Sequence, residues 1–137
     1  MIEGWNDDQY LILFDEIESG EASERYRIDD ALPGFTIVGL LGWDDLIVRN
    51  EQGRTFTVPT VPINTAELQP YEIPKDPLLT LDSDAAGRIK WYIKPVVFGG
   101  DPGIGDNLTW VSHEQHAELV IWWNLKYRET KTQKTNG

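Results

Sequence analysis

The chain has 137 residues, a formal net charge of −11 and no cysteine. The length fits a single domain, and the absence of cysteine excludes a disulfide framework and a thiolate zinc site. The acidic excess argues against a general nucleic-acid binder and against docking on an anionic membrane, since both need a basic surface. We therefore expect no direct nucleic-acid binding and no membrane association.

The N-terminal segment lacks the features of an export signal. No basic residue precedes the short apolar run at 10–14, and no stretch approaches the ~20 apolar residues of a membrane span. We therefore expect a cytoplasmic protein. The acidic residues are concentrated before residue 88, because residues 88–137 carry five acidic residues against seven basic ones.

The first predicted element is a helix over residues 7–18. Tyr10, Phe14 and Ile17 recur near helical spacing, and Asp7 or Asp8 would cap the start. The Ser-Gly pair that follows this segment is expected to interrupt the helix.

The middle of the chain predicts strands and then a loop. Residues 46–49 and 54–58 are strand-like and flank a four-residue turn that ends on glycine, which is typical of a β-hairpin. Residues 64–87 contain three prolines and predict a long surface loop, with a short helix or an edge strand inside it.

The C-terminal third predicts two strands and a helix. Residues 88–98 alternate apolar and polar side chains, a glycine-rich turn follows at 99–107, and 108–111 form a short strand. A capping-box pattern then predicts a helix over 113–128.

These elements predict an α+β fold in one domain over residues 1–129. Its mostly antiparallel sheet would carry an N-terminal helix and a C-terminal helix packed on it. The polar residues 130–137 are expected to form a disordered tail.

The two histidines, His113 and His116, resemble the zinc-protease helix motif only superficially. That motif places its histidines four residues apart, whereas these are three apart. We interpret one as part of the first helical turn and the other as packed against the sheet. No metal site is therefore predicted.

Asp44 and Asp45 follow Trp43 and invite comparison with a glycosidase, which needs two carboxylates on either side of a sugar. Neighbouring strand residues point to opposite faces, so this pair converges only through a bulge. We interpret the pair as part of a turn or strand edge, and we predict no catalytic residue.

The tryptophans suggest both a core and a surface. Trp91, Trp110 and Trp123 are predicted to pack between the sheet and the C-terminal helix. Trp122 and Trp123 lie about 100° apart on a helix, so both cannot point into one core. Trp122 is therefore predicted at the rim of a partner surface, where tryptophan is enriched.

Two segments and the helix after them form a recognisable pattern. The segments are GWDDLIV at 42–48 and PVVFGGDP at 95–102, the latter followed by NLTWV at 107–111. This pattern resembles the SMI1/KNR4 (SUKH) superfamily over residues 30–128. The resemblance implies an α+β fold and, for bacterial members, an immunity protein against a toxin, often a nuclease. It implies no catalytic residue and no cofactor.

The leading hypothesis is thus a non-enzymatic immunity-type protein that neutralises a cognate bacterial toxin, such as a basic nuclease, by covering its active site with an acidic surface. The acidic N-terminal run has an equally simple interpretation as a solvated helix face. The alternatives are a carbohydrate or small-ligand module with a Trp/carboxylate cleft, and an accessory subunit with an apolar surface patch. The candidate partner-binding residues are Asp7, Asp8, Asp15, Glu16, Glu18, Trp43, Asp44, Asp45 and Trp122.

Overall fold

A six-stranded antiparallel sheet forms the centre of the fold. The computed structural model describes residues 1–75, 78–92 and 108–136. Each strand pairs with the next in the chain, so the order in the sheet follows the sequence. The strands are β1 (Ile2–Asn6), β2 (Gln9–Leu13), β3 (Thr36–Leu41), β4 (Asp45–Arg49), β5 (Thr55–Pro59) and β6 (Gln69–Pro70).

Helices and a separate hairpin complete the α+β domain. The N-terminal helix and the C-terminal helix of the predicted fold are both present, which confirms the fold class. The further elements are α1 (Glu16–Arg25), α2 (Ile28–Ala31), a 3₁₀ turn (Thr65–Glu67), β7 (Ile89–Tyr92), β8 (Leu108–Val111) and α3 (His113–Asn136).

The helices and the β7–β8 hairpin cover one face of the six-stranded sheet. A register shift in β3 between Ile37 and Gly39 places Ile37 and Leu40 on this same face, although they are three residues apart. The main core therefore joins the sheet to all of these elements. Its buried members include Tyr10, Ile12, Ala22, Tyr26, Ile28, Ile37, Leu40, Leu46, Val48, Val58, Ile89, Trp91, Ala117 and Val120.

The opposite face of the sheet carries a second, smaller apolar cluster. Leu11, Val38 and Ile47 are buried there, and side chains from the segment after β6, such as Tyr71 and Leu79, pack against them. The central strands therefore bury both of their faces.

The predicted helix over 7–18 is wrong, because these residues belong mainly to a β-hairpin. Tyr10 and Ile12 point into the main core, whereas Leu11 points to the opposite face. A strand that buries both faces has a continuous apolar run, and periodicity alone does not separate such a run from a helix. Asp7 does not cap a helix but lies in the β1–β2 turn with a φ of 56°.

The N-terminal helix begins later than predicted, at Glu16. The side chain of Asp15 accepts a hydrogen bond from the Glu18 backbone N–H, and the Asp15 N–H donates to the Glu18 carboxylate. This capping box satisfies two backbone donors at the helix start. Ser19 and Gly20 lie inside α1, so the predicted interruption there is also wrong.

Several predictions for the middle of the chain are confirmed. β4 and β5 form the expected hairpin around residues 50–53, and the loop over 64–87 contains both a 3₁₀ turn and the edge strand β6. The strand predicted over 88–98 is observed as β7 up to Tyr92. The rest of that prediction and the glycine-rich turn at 99–107 lie outside the described residues.

The C-terminal helix has the predicted start but a later end. Ser112 and Gln115 exchange the two hydrogen bonds of the capping box, whereas α3 continues to Asn136 instead of ending near residue 128. Residues 129–136 contain no apolar residue, so the hydrophobic periodicity that predicts the helix stops before them. Disorder of residues 130–137 in solution stays a prediction.

A buried asparagine ties α3 to the segment that follows β5. The Asn124 side chain accepts a hydrogen bond from the Ile63 N–H at 2.7 Å. Its amide nitrogen donates to the carbonyl oxygens of Thr60 and Val120, each at 2.7 Å. The side chain thereby satisfies backbone groups that a buried irregular segment cannot pair by itself.

We expect Asn124→Ala to lower the free energy of unfolding by about 2–4 kcal/mol, because the Ile63 N–H and the Thr60 carbonyl oxygen lose their partner while buried. Urea unfolding followed by circular dichroism measures this change. The control is Glu114→Gln on the exposed side of the first turn of α3, expected to change stability by less than about 0.5 kcal/mol. Equal midpoints for the two variants would contradict this role of Asn124.

Gly39 and Gly20 form a matched pair for a test of the sheet. A Cβ on Gly39 would lie 2.4 Å from the backbone oxygen of Ile12, whereas one on Gly20 would meet nothing within 4 Å. We expect Gly39→Ala to destabilise the fold by about 1–3 kcal/mol through overpacking. Gly20→Ala should stabilise it by about 0.5–1 kcal/mol, because alanine favours the helix. Destabilisation by both substitutions in urea unfolding would refute this difference.

Candidate functional site

Two turns lie together at one end of the six-stranded sheet, which we call the turn end. Leu11 of β2 pairs with Leu41 of β3, so the start of β2 and the end of β3 lie side by side. The β1–β2 turn with Asp7 and Asp8 is therefore next to the β3–β4 turn at 42–44. The Gly42 N–H donates to the Tyr10 carbonyl oxygen at 2.8 Å and links the two turns.

Four aromatic side chains meet at the turn end, and we call Trp5, Tyr10, Trp43 and Trp110 the aromatic cluster. Trp43 stacks on Tyr10 with ring centres 4.8 Å apart. Trp5 packs edge-on against both rings, and Trp110 packs edge-on against Trp43 at 5.6 Å. Edge-on and stacked contacts of this kind add stability beyond the buried area, so the cluster forms a rigid platform.

Trp43 has an unusual backbone conformation, with a φ of 63°. A bulky residue pays a steric cost in this left-handed region, and such residues persist where their surroundings hold them. The rings of Tyr10, Trp5 and Trp110 supply those surroundings here. Among the described residues, the buried Nε1 of Trp43 has no hydrogen-bond acceptor.

Two cationic side chains lie over this platform, one from β7 and one from the residue just before it. The Lys90 ammonium is 5.2 Å from the ring centre of Trp43 and 5.7 Å from that of Trp110. The Arg88 guanidinium is 5.2 Å from the ring centre of Trp110. These are cation–π distances, so the platform holds both positive charges in place.

Asp44 and Asp45 lie at the same end of the sheet but do not converge. Asp45 pairs with Leu41, which belongs to the opposite face, whereas the Asp44 carboxylate interacts with Lys90 on the face of the aromatic cluster. Asp44 lies in the β3–β4 turn and Asp45 begins the central strand β4, so of the two interpretations, turn or strand edge, the turn is the one confirmed. Partial burial raises the pKa of both carboxylates, and the neighbouring charge of Asp45 raises the pKa of Asp44 further.

Three other predicted partner-binding residues lie at the far end of the sheet. Asp15, Glu16 and Glu18 form the start of α1, and the five residues of β2 separate this end from Asp8 by about 17 Å. Glu18 is also engaged, since its carboxylate lies 2.6 Å from the N-terminal amine of Met1. The structure therefore divides the predicted acidic surface into two.

The tryptophans of the last third divide between core and surface. Trp91 is buried and Trp123 is half-buried against the main core, as predicted. Trp110 was wrongly predicted as core, because it is 37% exposed over the turn end. Trp122 is 54% exposed on α3, and among the described ring contacts it packs against Trp123 and not against the aromatic cluster.

The two histidines occupy the first turn of α3, with His116 fully buried. The Tyr26 hydroxyl and Nδ1 of His116 are 2.5 Å apart, and the Trp91 ring packs edge-on against the imidazole. His113 packs against Phe14. The described residues contain no cluster of three or more acidic, histidine or cysteine side chains that could hold a metal ion. His116 thus has the packing role that we predicted for one of the two.

Comparisons with protein-family models, curated proteins and solved structures found no match for this chain. The resemblance to the SMI1/KNR4 superfamily therefore stays a prediction. Within the described ranges, none of the helices combines the length and the apolar character that a bilayer-crossing segment requires.

We predict that His116 makes the fold sensitive to acid. Burial, and to a smaller extent the neighbouring His113, lowers the pKa of His116 to about 3, whereas an unfolded histidine titrates near 6.5. Between these values the unfolded chain binds the proton and the folded chain does not. The free energy of unfolding should therefore fall as the pH decreases from about 6.5, by up to about 1.4 kcal/mol per pH unit.

The comparison with His116→Gln isolates this effect, because the other titrating groups are common to both proteins. Between pH 6.5 and 4.5 the variant should lose about 2 kcal/mol less stability than the parent chain in urea unfolding. Parallel pH profiles for the two proteins would show that His116 does not cause the acid sensitivity.

Proposed function

We propose that this chain is an immunity-type protein that binds a basic protein toxin at the turn end and neutralises it by covering its active site. The observation that carries the proposal is the placement of Trp110. Trp110 is 37% exposed and packs edge-on against Trp43 of the β3–β4 turn, next to the β1–β2 turn that carries Asp7 and Asp8. An exposed, rigidly held aromatic side chain within a charged rim is typical of an interface hot spot.

The acidic rim favours a basic partner. Asp7, Asp8 and Asp44 are exposed, and the chain as a whole carries a net charge of −11. Such a field attracts a positively charged protein and raises its association rate, with a strong dependence on salt. Lys90 and Arg88 would add specificity, since the rings hold them in fixed positions where only a partner with matching acceptors fits.

A bacterial toxin as the partner rests on the resemblance of residues 30–128 to the SMI1/KNR4 superfamily. A cytoplasmic location goes with this proposal, because an immunity protein acts where it can meet the toxin before damage occurs. Neutralisation by covering a site needs no catalytic residue, cofactor or metal in the chain.

A carbohydrate or small-ligand site is the second candidate, and the aromatic platform favours it. Sugar rings pack on exposed indoles, and Trp110 offers one. Asp44 and Asp45 lie on opposite faces of the sheet, however, so they do not form the pair of facing carboxylates that glycoside hydrolysis requires. The platform alone supports binding and not catalysis.

The proposal predicts that charge reversal at the turn end weakens toxin binding. We expect Asp7→Lys/Asp8→Lys/Asp44→Lys to raise the Kd for the toxin encoded beside this chain by at least about tenfold, mainly through slower association. Surface plasmon resonance at two salt concentrations measures this, and survival on co-expression provides the cellular readout.

The matched control reverses three acidic residues elsewhere, as Glu16→Lys/Glu21→Lys/Glu24→Lys on α1. It changes the net charge equally and should weaken binding much less. Equal effects of the two triple variants would contradict docking at the turn end. The second candidate would be favoured by two results together. The chain would not bind the neighbouring gene product, and it would bind oligosaccharides in a way that Trp110→Ala abolishes.

A further inference from the structure

The outer side of α3 carries a stripe with exposed apolar residues at its centre that the proposed function does not use. Trp122 is 54% exposed and Leu125 is 49% exposed, whereas Val120 and Asn124 on the other side of the helix are buried. At about 100° per residue, the stripe lies within about 60° of Trp122. Its members are Gln115, Glu118, Leu119, Trp122, Leu125, Lys126 and Glu129.

The stripe has the shape of a helix-packing surface. A depression of about 510 Å³ lies beside Trp122, lined by Val111, Gln115, Glu118 and Leu119. Trp122 packs edge-on against Trp123 with ring centres 4.7 Å apart, which holds the exposed indole on one side of this depression. The exposed Trp122 side chain and the depression beside it together can pack against another helix.

Two copies of the stripe that run in opposite directions are complementary to each other in charge and in apolar residues. When two copies of α3 lie antiparallel with a two-fold axis at Trp122, each Glu118 faces Lys126 of the other copy. In the same register Leu119 faces Leu125, and the two Trp122 side chains meet on the axis. A two-fold interface requires this self-complementarity, because each side uses the same residues.

We infer that the chain forms a homodimer through an antiparallel pair of α3 helices centred on Trp122. Opposite charges flank an apolar centre in this pairing, which favours this register over others. Lys126 already interacts within its own chain, and the three N–H donors of an ammonium allow a second partner.

The charge distribution also favours a second copy on this surface. Residues 88–137 carry five acidic and seven basic residues, whereas the remainder of the chain carries eighteen acidic and five basic ones. Within this region α3 carries three acidic and four basic residues, so contact through α3 joins two nearly neutral helices of an otherwise acidic chain and limits charge repulsion.

A charge-swap series tests the register. Sedimentation equilibrium of the full chain should give a dimer of twice 15.6 kDa that dissociates on dilution. Glu118→Lys alone and Lys126→Glu alone should each weaken the dimer by about tenfold or more, because each places like charges opposite one another. The double variant Glu118→Lys/Lys126→Glu restores both pairs and should recover the dimer, as should an equimolar mixture of the two single variants.

Two further variants complete the test. Trp122→Ala should weaken the dimer by at least about tenfold, since it removes the centre of the interface. Ile17→Ala is the control, because Ile17 is an exposed apolar side chain on α1 that is 75% exposed and outside the stripe. A chain that is monomeric at all concentrations would overturn the inference. A Trp122→Ala variant whose dimer is as stable as that of the parent chain would overturn it as well. If the double variant does not recover the dimer, the proposed register of the two helices is wrong.

Discussion

The pairing of β2 with β3 is the contact on which the rest of the structure depends. Gly39 makes it possible, because any side chain there would overlap the carbonyl oxygen of Ile12. The register shift beside Gly39 sends Ile37 and Leu40 to the same face, and this face receives the helices. The same pairing sets the β1–β2 turn beside the β3–β4 turn. One close backbone approach thus determines both the core and the position of the candidate site.

Local signals in the sequence predicted those elements that local interactions determine. The capping box of Ser112 and Gln115 marked the start of α3, and the turn at 50–53 marked the β4–β5 hairpin. The same kind of signal was present at Asp15 and Glu18 and would have placed α1 correctly. The β1–β2 hairpin was missed because β2 buries both faces, and its apolar run then lacks the alternation that distinguishes a strand.

Most of the candidate site depends on contacts that are distant in sequence. Trp43 and Asp44 were predicted from an unusual local composition, but Trp5 and Tyr10 join them only through the sheet register. Lys90 occupies a polar position of the alternation predicted over 88–98, and its contact with Trp110 became apparent only from the β7–β8 pairing, in which the two residues are directly opposite. No local signal indicated that the acidic residues of the turn end and those at the start of α1 lie at opposite ends of the sheet.

The division of charge and apolar surface suggests how two interactions can coexist in one small domain. The turn end combines carboxylates with an aromatic platform, which suits a basic partner. The outer side of α3 combines exposed apolar side chains with charges of both signs, which suits a second copy. Because Trp122 lies outside the aromatic cluster, dimerisation through α3 would leave Trp110 exposed for the partner. A dimer would then present two turn ends, and a bivalent or surface-bound target would be held more tightly than by a single one.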